Sequence, residues 1–194
     1  MSRKHGFPIR QPNFAAGIRA QEAREGLART WWAMRWNEIV RGMDIHHRYG
    51  AGHRYAVTGQ VTSLQMQGPH IRARVVGMRP QPYEVQIDFR EPDEATHERI
   101  RAALVAEPIR IARLLVDDLP MEVETIFKQA GFPLFPIGKL APGVYDMQIH
   151  CSCPDYANPC KHVCAVLLIL GEVFARRPLA LLEARGFTEE ELLG

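Results

Sequence analysis

The chain has 194 residues, of which 46% are hydrophobic and 24% are charged, and its formal net charge is +2. This is the composition of a globular protein with enough apolar residues for a core. The longest apolar run, Val163–Leu170, is far shorter than the roughly 18 residues of a membrane span, and residues 1–14 lack the apolar segment of a secretory signal. We therefore expect a cytoplasmic protein that does not contact membranes.

The two halves of the sequence carry opposite net charges. Residues 1–90 hold 14 Lys and Arg against 6 Asp and Glu, a net charge of +8, whereas residues 91–194 hold 10 against 16, a net charge of −6. A basic half is compatible with a polyanionic partner such as DNA or RNA. It is equally compatible with basic side chains that only solvate a helix and a sheet.

The first elements predicted along the chain are an arm, a helix and a loop. Residues 1–24 are predicted to form an extended arm, because Gly and Pro interrupt them. A helix is predicted from about Glu25 to Arg41, with three tryptophans within six residues. These tryptophans are expected to pack on the following sheet, and a base-stacking platform is the alternative. The segment 44–55, DIHHRYGAGHRY, is predicted to be a loop because it is rich in His and Gly.

Three strands are predicted next from period-two alternation and the turn signals between them. Their approximate bounds are Ala56–Met66, Ile71–Met78 and Tyr83–Phe89. Helices are predicted from Asp93, with an interruption at Pro108, and again at 121–130, followed by a connector and a strand at Tyr145–His150. The predicted fold class is therefore α+β: an N-terminal helix on a small antiparallel sheet, a helical middle, and a C-terminal strand, zinc knuckle and helix.

All four cysteines lie between positions 151 and 164. A disulfide framework would spread its cysteines over the fold, whereas the ligands of one metal ion cluster. Six residues separate the pair Cys151 and Cys153 from the pair Cys160 and His162, and four such sulfur and nitrogen atoms suit tetrahedral zinc. Pro159 is suited to the start of a helix that carries the second pair. The sequence therefore predicts one structural Zn²⁺, with a reduced, metal-free cysteine cluster as the alternative.

This strand, knuckle and helix resemble the SWIM-type zinc finger, whose pattern is Cys-x-Cys, a spacer, and Cys-x-His at the start of a helix. The strings that resemble prokaryotic members are Cys153-Pro154-Asp155, Pro159-Cys160-Lys161-His162 and Ala165-Val166-Leu167. Trp31-Trp32 and the GQVTSL strand also resemble what precedes the finger in some bacterial members. The resemblance implies zinc binding and contacts with DNA or protein, including Snf-type ATPases.

Cys164 is the cysteine outside this pattern. It lies four residues after Cys160, on the same helical face, where it would compete with His162 for the ion. The family pattern and its apolar neighbours imply a buried thiol instead. A redox role for Cys160 and Cys164 is a further alternative, which coordination of Cys160 by zinc would prevent.

No catalytic site is expected. A catalytic zinc keeps an open coordination position, whereas four Cys and His ligands close the site, and the chain lacks a Walker-type loop and the G-x-S-x-G motif. The strongest candidate for a second functional site is a metal site formed by Asp44, His46, His47 and His53. The alternative is that these histidines are solvent-exposed polar residues without a ligand. No small-molecule substrate is expected.

The first predicted function is that of an adaptor, an accessory interaction subunit of a Snf-type ATPase system. The predicted segments are the arm at 1–24, an N-terminal α+β domain at 25–118, and a SWIM-type region with C-terminal helices at 119–194. Apolar positions in the tail, Leu179–Leu182 and Leu192-Leu193, are expected to provide surface for a partner protein.

The second predicted function is direct binding of DNA or RNA by the basic half. The candidate residues are Arg72, Arg74 and Arg79 on one hairpin and Arg41, Arg48 and Arg54 around the loop. Alternation along a strand places Arg72 and Arg74 on the same face, which suits two phosphate contacts.

Overall fold

A computed structural model describes residues 17–21, 30–43, 46–137, 139–141 and 144–193, without the side chains of residues 46–47, 139–141 and 144–145. Most of the predicted arm, the start of the predicted first helix and Asp44 therefore lie outside the described residues. The described helices are α1 Trp31–Gly42, α2 His46–Thr58, α3 Glu94–Val105, α4 Pro108–Leu115, α5 Met121–Gln129, α6 Lys161–Arg176, α7 Leu179–Ala184 and α8 Glu189–Leu193. The strands are β1 Val61–Gln67, β2 His70–Val75, β3 Tyr83–Phe89, β4 Lys139–Ala141, β5 Val144–Tyr145 and β6 Met147–Cys151. The α+β class is confirmed.

Four strands form one antiparallel sheet in the order β1-β2-β3-β6. The predicted meander is present as β1 to β3, and β6 adds a fourth strand from a distant part of the sequence. In that pairing Cys151 lies opposite Val85, and Ile149 lies opposite Ile87. Side chains of β3 alternate between a buried apolar face and a polar face, so one side of the sheet requires a cover.

Helix α6 provides that cover. Of its 16 residues, 12 are buried, which is the pattern of a central helix and not of a surface helix. It contacts β1, β3 and β6 on one side, and α1 and α2 pack against it. The helix that begins at the second pair of predicted zinc ligands is therefore the centre of the core.

The tryptophans of α1 join this core. The indole nitrogen of Trp32 donates to the carbonyl of Phe174 at 2.9 Å, and that of Trp36 donates to the carbonyl of Leu167 at 2.9 Å. The Trp36 ring also contacts Phe89 of β3, with ring centroids 6.1 Å apart, so α1 reaches the sheet beside α6. Because Trp32 and Trp36 are buried, they are unavailable as a base-stacking platform.

The prediction of a loop at 44–55 is wrong for residues 46–55, which belong to helix α2. The reason is the role of Gly52, which faces α6: a Cβ added there would lie 2.5 Å from the Sγ of Cys164. Glycine therefore allows the two helices to approach closely instead of breaking the helix. The first strand begins at Val61, later than predicted, because α2 continues to Thr58. Gly59 follows the helix with φ +80°, the left-handed conformation that commonly ends helices.

The helical middle agrees with the prediction. The side chain of Asp93 accepts a hydrogen bond from the amide of Thr96 at 2.8 Å, which caps α3. Pro108 is the first residue of α4, a position that proline tolerates because its missing amide has no partner there. Part of the predicted connector after α5 forms β4, which pairs with β5, and the strand predicted from Tyr145 begins instead at Met147.

A buried charge cluster holds the start of β6. One carboxylate oxygen of Asp146 accepts hydrogen bonds from Arg90 and from Arg185, both at 3.0 Å. The other oxygen accepts from the amide of Ile137 at 3.1 Å. Asp146 and Arg185 are fully buried, and removal of one partner from such a pair is strongly destabilising. This cluster therefore fixes the strand that ends at Cys151.

The positions of the tail helices contradict the prediction that their apolar residues form a partner surface. Leu179 to Leu182 and Leu192 are buried, and only Leu193 of this set is exposed. They pack inward because α7 contacts α6 and β1, and α8 contacts α3. The boundary at residue 118 stays a prediction, although described residues on both sides of it contribute to the same core. Within the described ranges no helix has the length and apolar character needed to cross a bilayer.

The close contact at Gly52 gives a stability prediction. Gly52→Ala should lower the free energy of unfolding by about 1–3 kcal/mol, because the new methyl group overpacks α2 against Cys164. Gly50→Ala is the matched control in the same helix, since a Cβ there meets nothing within 4 Å, and it should raise stability by up to about 1 kcal/mol. Urea denaturation measures both variants, and equal stabilities would contradict the packing account.

Candidate metal centre

The zinc cluster consists of Cys151, Cys153, Cys160 and His162, and two elements position it. Cys151 is the last residue of β6, and Cys153 follows in the turn. Cys160 is the N-cap residue of α6, which places His162 in the first turn of that helix. The cluster thus lies where the edge of the sheet meets the start of the central helix.

The geometry of the cluster fits a tetrahedral ion. The candidate ligand atoms, one per residue, all lie within 4.8 Å of one another. The Nδ1 of His162 is 3.7 Å from the Sγ of Cys160 and 3.9 Å from the Sγ of Cys151. A tetrahedron with zinc–sulfur distances of 2.3 Å has edges of about 3.8 Å, so the residues present fit one structural Zn²⁺. Four protein ligands would complete its coordination.

The thiols of the cluster differ in acidity. The thiol of Cys151 donates to Cys160, and His162 also hydrogen-bonds to Cys160, which lowers the pKa of Cys160 to about 4. The same hydrogen bond, together with burial, raises the pKa of Cys151. Burial is the main cause that raises the pKa of Cys153. The acidities of the three thiols thus depend on their mutual hydrogen bonds, which a cation would replace with direct coordination.

Cys164 lies outside the zinc cluster. Its sulfur is buried and points to the contact between α6 and α2, beside Gly52. Burial, with the charge of Cys160 as a smaller cause, raises its pKa to about 12. A thiol in these surroundings behaves as a small apolar side chain, as the sequence predicted.

Aromatic rings enclose the histidine of the cluster. The His162 ring lies 4.5 Å from the ring of Tyr83 and 5.4 Å from that of Tyr55. Its Nε2 is buried and has no hydrogen-bond partner, whereas its Nδ1 faces the cysteines. A Cβ at Gly77 would lie 3.1 Å from this Nε2 and 2.5 Å from the Tyr83 ring. Gly77 therefore lets the β2–β3 loop close over the imidazole and hold its orientation.

The knuckle loop, residues 152–159, is held to its surroundings by polar contacts. The amide of Ser152 donates to the carbonyl of Glu84, and the hydroxyl of Ser152 accepts from the amide of Glu84, both at 2.9 Å. The side chain of Asn158 donates to the carbonyl of Ile149 at 2.8 Å, which satisfies the outer edge of β6. Arg48 of α2 forms an ion pair with Asp155 at 3.0 Å. The loop is thus tied to both the sheet and α2.

Comparison with known proteins agrees with this geometry, since residues 144–171 match the family described as SWIM zinc finger. We refer to residues 144–171 as the SWIM finger. The chain is also similar to an uncharacterized protein from Mycobacterium tuberculosis (strain ATCC 25618 / H37Rv), with 33% identity over 186 residues. That match covers 96% of this chain and 65% of the relative, so the chain spans just under two thirds of the relative's length. No solved structure matches the chain.

Several contacts that support the SWIM finger were not predicted from the sequence. Gly52 was placed in a predicted loop and Gly77 in a predicted strand, and their close contacts depend on which distant helix or ring lies opposite. The ion pair of Arg48 with Asp155 joins residues 107 positions apart, and no local signal indicates it.

The second metal site predicted from Asp44, His46, His47 and His53 stays a prediction. Asp44 and the side chains of His46 and His47 lie outside the described residues. The His53 ring stacks on Tyr49 with centroids 6.4 Å apart.

The arginines predicted to contact phosphate separate into two groups. Arg72 and Arg74 lie on the exposed face of β2, where Arg72 pairs with Asp88 at 2.7 Å and Arg74 lies opposite Glu84. The other four candidates lie on or beside α2. Arg48 pairs with Asp155, Arg54 is on the exposed side of α2, Arg79 lies over the Tyr83 ring, and Arg41 lies over the Tyr49 ring. Their role in binding nucleic acid stays a prediction.

The ligand set gives a metal-content prediction. Cys153→Ser should reduce bound zinc and loosen the C-terminal third, because structural zinc supplies on the order of 10 kcal/mol of folding free energy. Cys164→Ala is the matched control and should retain zinc while it costs about 1 kcal/mol of packing. Elemental analysis of both purified variants checks this. A full equivalent of zinc in Cys153→Ser, or loss of zinc in Cys164→Ala, would contradict the ligand set.

The pKa directions give a prediction about proton release. If the cluster keeps its fold without metal at pH 7, the raised pKa values of Cys151 and Cys153 favour their protonated thiols, whereas the lowered pKa of Cys160 favours its thiolate. Zinc binding should therefore release about two protons, and the apparent affinity should fall as the pH falls. Calorimetric titration of the metal-free protein in buffers with different ionisation enthalpies measures the number released. Release of fewer than one proton would contradict this order of acidities.

Proposed function

We propose that the protein is a non-catalytic adaptor that combines a structural SWIM finger with a surface for a partner protein. The four-residue zinc cluster supports this proposal, since a complete set of protein ligands leaves no coordination position for a substrate. We place the protein in the cytoplasm, where reduced cysteines remain available for zinc. We propose that the partner is a DNA-associated Snf-type ATPase and that the protein is its accessory subunit.

The observation that carries the adaptor role is an exposed apolar surface around α4. Leu114 is the buried residue of this eight-residue helix, while Ile109, Leu115 and Val116 are 66%, 51% and 73% exposed. We call the α4 surface the set of Ile109, Leu115, Val116 and Leu193, all of which are exposed. Leu115 and Leu193 line the same shallow depression, so α8 continues the apolar area of α4. Apolar area of this kind is typical of a protein contact.

The charges beside the α4 surface favour a protein over a polyanion. Arg110 pairs with Glu107 at 3.3 Å, and Arg113 pairs with Asp118 at 2.7 Å. Each cation is therefore balanced by a neighbouring carboxylate, and the attraction available to a partner is mainly burial of apolar area.

The α4 surface is tested with a purified Snf-type ATPase from the same organism. Ile109→Asp combined with Val116→Asp should weaken the complex at least about tenfold, because two carboxylates would be desolvated in an apolar contact. Met34→Asp combined with Met78→Asp introduces the same charge at exposed apolar positions elsewhere and should leave affinity unchanged. Calorimetry with zinc content as the folding control measures both. No binding by the wild type, or equal binding by both variants, would contradict the proposal.

A further inference from the structure

Helix α2 presents a basic surface beside the SWIM finger. Its sequence, residues 46–58, contains two arginines, three histidines and no Asp or Glu. Gly52 and Ala56 are buried against α6, so helical spacing places Arg54 near the middle of the opposite, exposed side. Arg54 has no carboxylate within 4.0 Å among the described residues.

One flank of this surface leads to α1. Arg41, at the end of α1, lies over the ring of Tyr49 with its guanidinium carbon 5.0 Å from the centroid. Tyr49 in turn stacks on His53, one helical turn further along α2. The side chain of Arg41 is exposed and hydrogen-bonds to Asn37, so its charge is not neutralised by that contact. The flank therefore combines a cation with partly exposed rings.

The other flank leads to the SWIM finger. The ammonium of Lys161 lies 5.5 Å from the centroid of the Tyr55 ring, and the guanidinium carbon of Arg79 lies 5.7 Å from that of Tyr83. Both rings contact the zinc-cluster histidine, so each cation lies one aromatic ring away from it. Neither Lys161 nor Arg79 forms an ion pair within the described part of the chain.

The tip of the knuckle loop adds an unpaired aromatic ring. Tyr156 is 97% exposed, and it follows Asp155, which binds Arg48 of α2. A tyrosine with this exposure contributes nothing to the core, yet its neighbour is held against the basic helix. Its ring is therefore available for stacking beside the cations.

The exposed face of the sheet differs in its charge balance. Arg72 and His70 both contact Asp88 at 2.7 Å, and these contacts lower the pKa of Asp88, although partial burial opposes them. Arg74 lies opposite Glu84 in the β2–β3 register. Two arginines are thus matched by two carboxylates on this face, and a polyanion would gain little from it.

We propose that the α2 surface, consisting of Arg41, Arg54, Arg79, Lys161 and Tyr156, binds single-stranded nucleic acid. The cations contact the phosphates, and Tyr156 stacks on an unpaired base. Alternation of cations and accessible rings is how proteins hold single strands without sequence preference, whereas the bases of a duplex are already stacked on one another. This inference does not depend on the α4 surface or on the ATPase partner.

The test compares two double variants with the same change in net charge. Arg54→Glu combined with Arg79→Glu reverses two cations of the α2 surface, and Arg72→Glu combined with Arg74→Glu reverses two on the sheet. The probe is a fluorescent oligothymidylate of about 20 nucleotides, longer than a typical binding site, titrated by anisotropy at several salt concentrations. The α2 variant should bind at least about tenfold more weakly, with a log–log salt slope lower by about 1.4. The sheet variant should stay within about twofold of wild type.

Tyr156 supplies the second arm of the test. Tyr156→Ala should weaken binding about tenfold through lost stacking, while Tyr156→Phe should retain it, and zinc content should be unchanged in both. Equal loss in the two charge variants, or a larger loss in the sheet variant, would overturn the assigned surface. Tighter binding of a duplex of the same length would overturn the single-strand preference. Absence of salt-sensitive binding by the wild type would overturn the inference altogether.

Discussion

The junction between the end of β6 and the start of α6 is the contact on which the rest of the structure depends. Cys151 and Cys153 approach it from the sheet, and Cys160 and His162 approach it from the helix. Structural zinc contributes on the order of 10 kcal/mol, as much as the whole net stability of a typical domain. Helix α6 can therefore be apolar on nearly all sides, because the ion fixes where it begins and the sheet, α1 and α2 bury it.

The same junction relates the core to the two candidate surfaces. Helix α2 packs on α6 through Gly52, and Arg48 ties it to the knuckle loop, so its basic side is oriented by the residues that surround the zinc cluster. The α4 surface is built on different elements, α4 and α8, and its charges are paired locally. The protein thus separates an apolar surface suited to a protein from a basic surface suited to a polyanion. Under both proposals, the chain would bridge an ATPase and a nucleic acid strand.

Much of the fold was predictable wherever the signal was local. The alternation of β3, the helix start near Asp93 and the spacing of the zinc cluster each depend on a few neighbouring residues, and the structure agrees with all three. Helix α2 was not predictable in this way, because Gly52 is favourable only when Cys164 lies opposite it. The charge balance at Arg72 required the strand register that places Asp88 beside it. Contacts between distant residues decided each of these cases, and one sequence does not reveal them.

The most direct test of the central claim is X-ray absorption spectroscopy at the zinc edge on the purified, zinc-loaded protein. The account predicts three sulfur ligands at about 2.3 Å and one nitrogen ligand at about 2.0 Å, with no oxygen ligand. Four sulfur ligands would mean that Cys164 replaces His162, and α2 and α6 would then have to separate at Gly52. Two sulfur ligands with bound water would mean an open site, and the structural role assigned to the ion would be wrong.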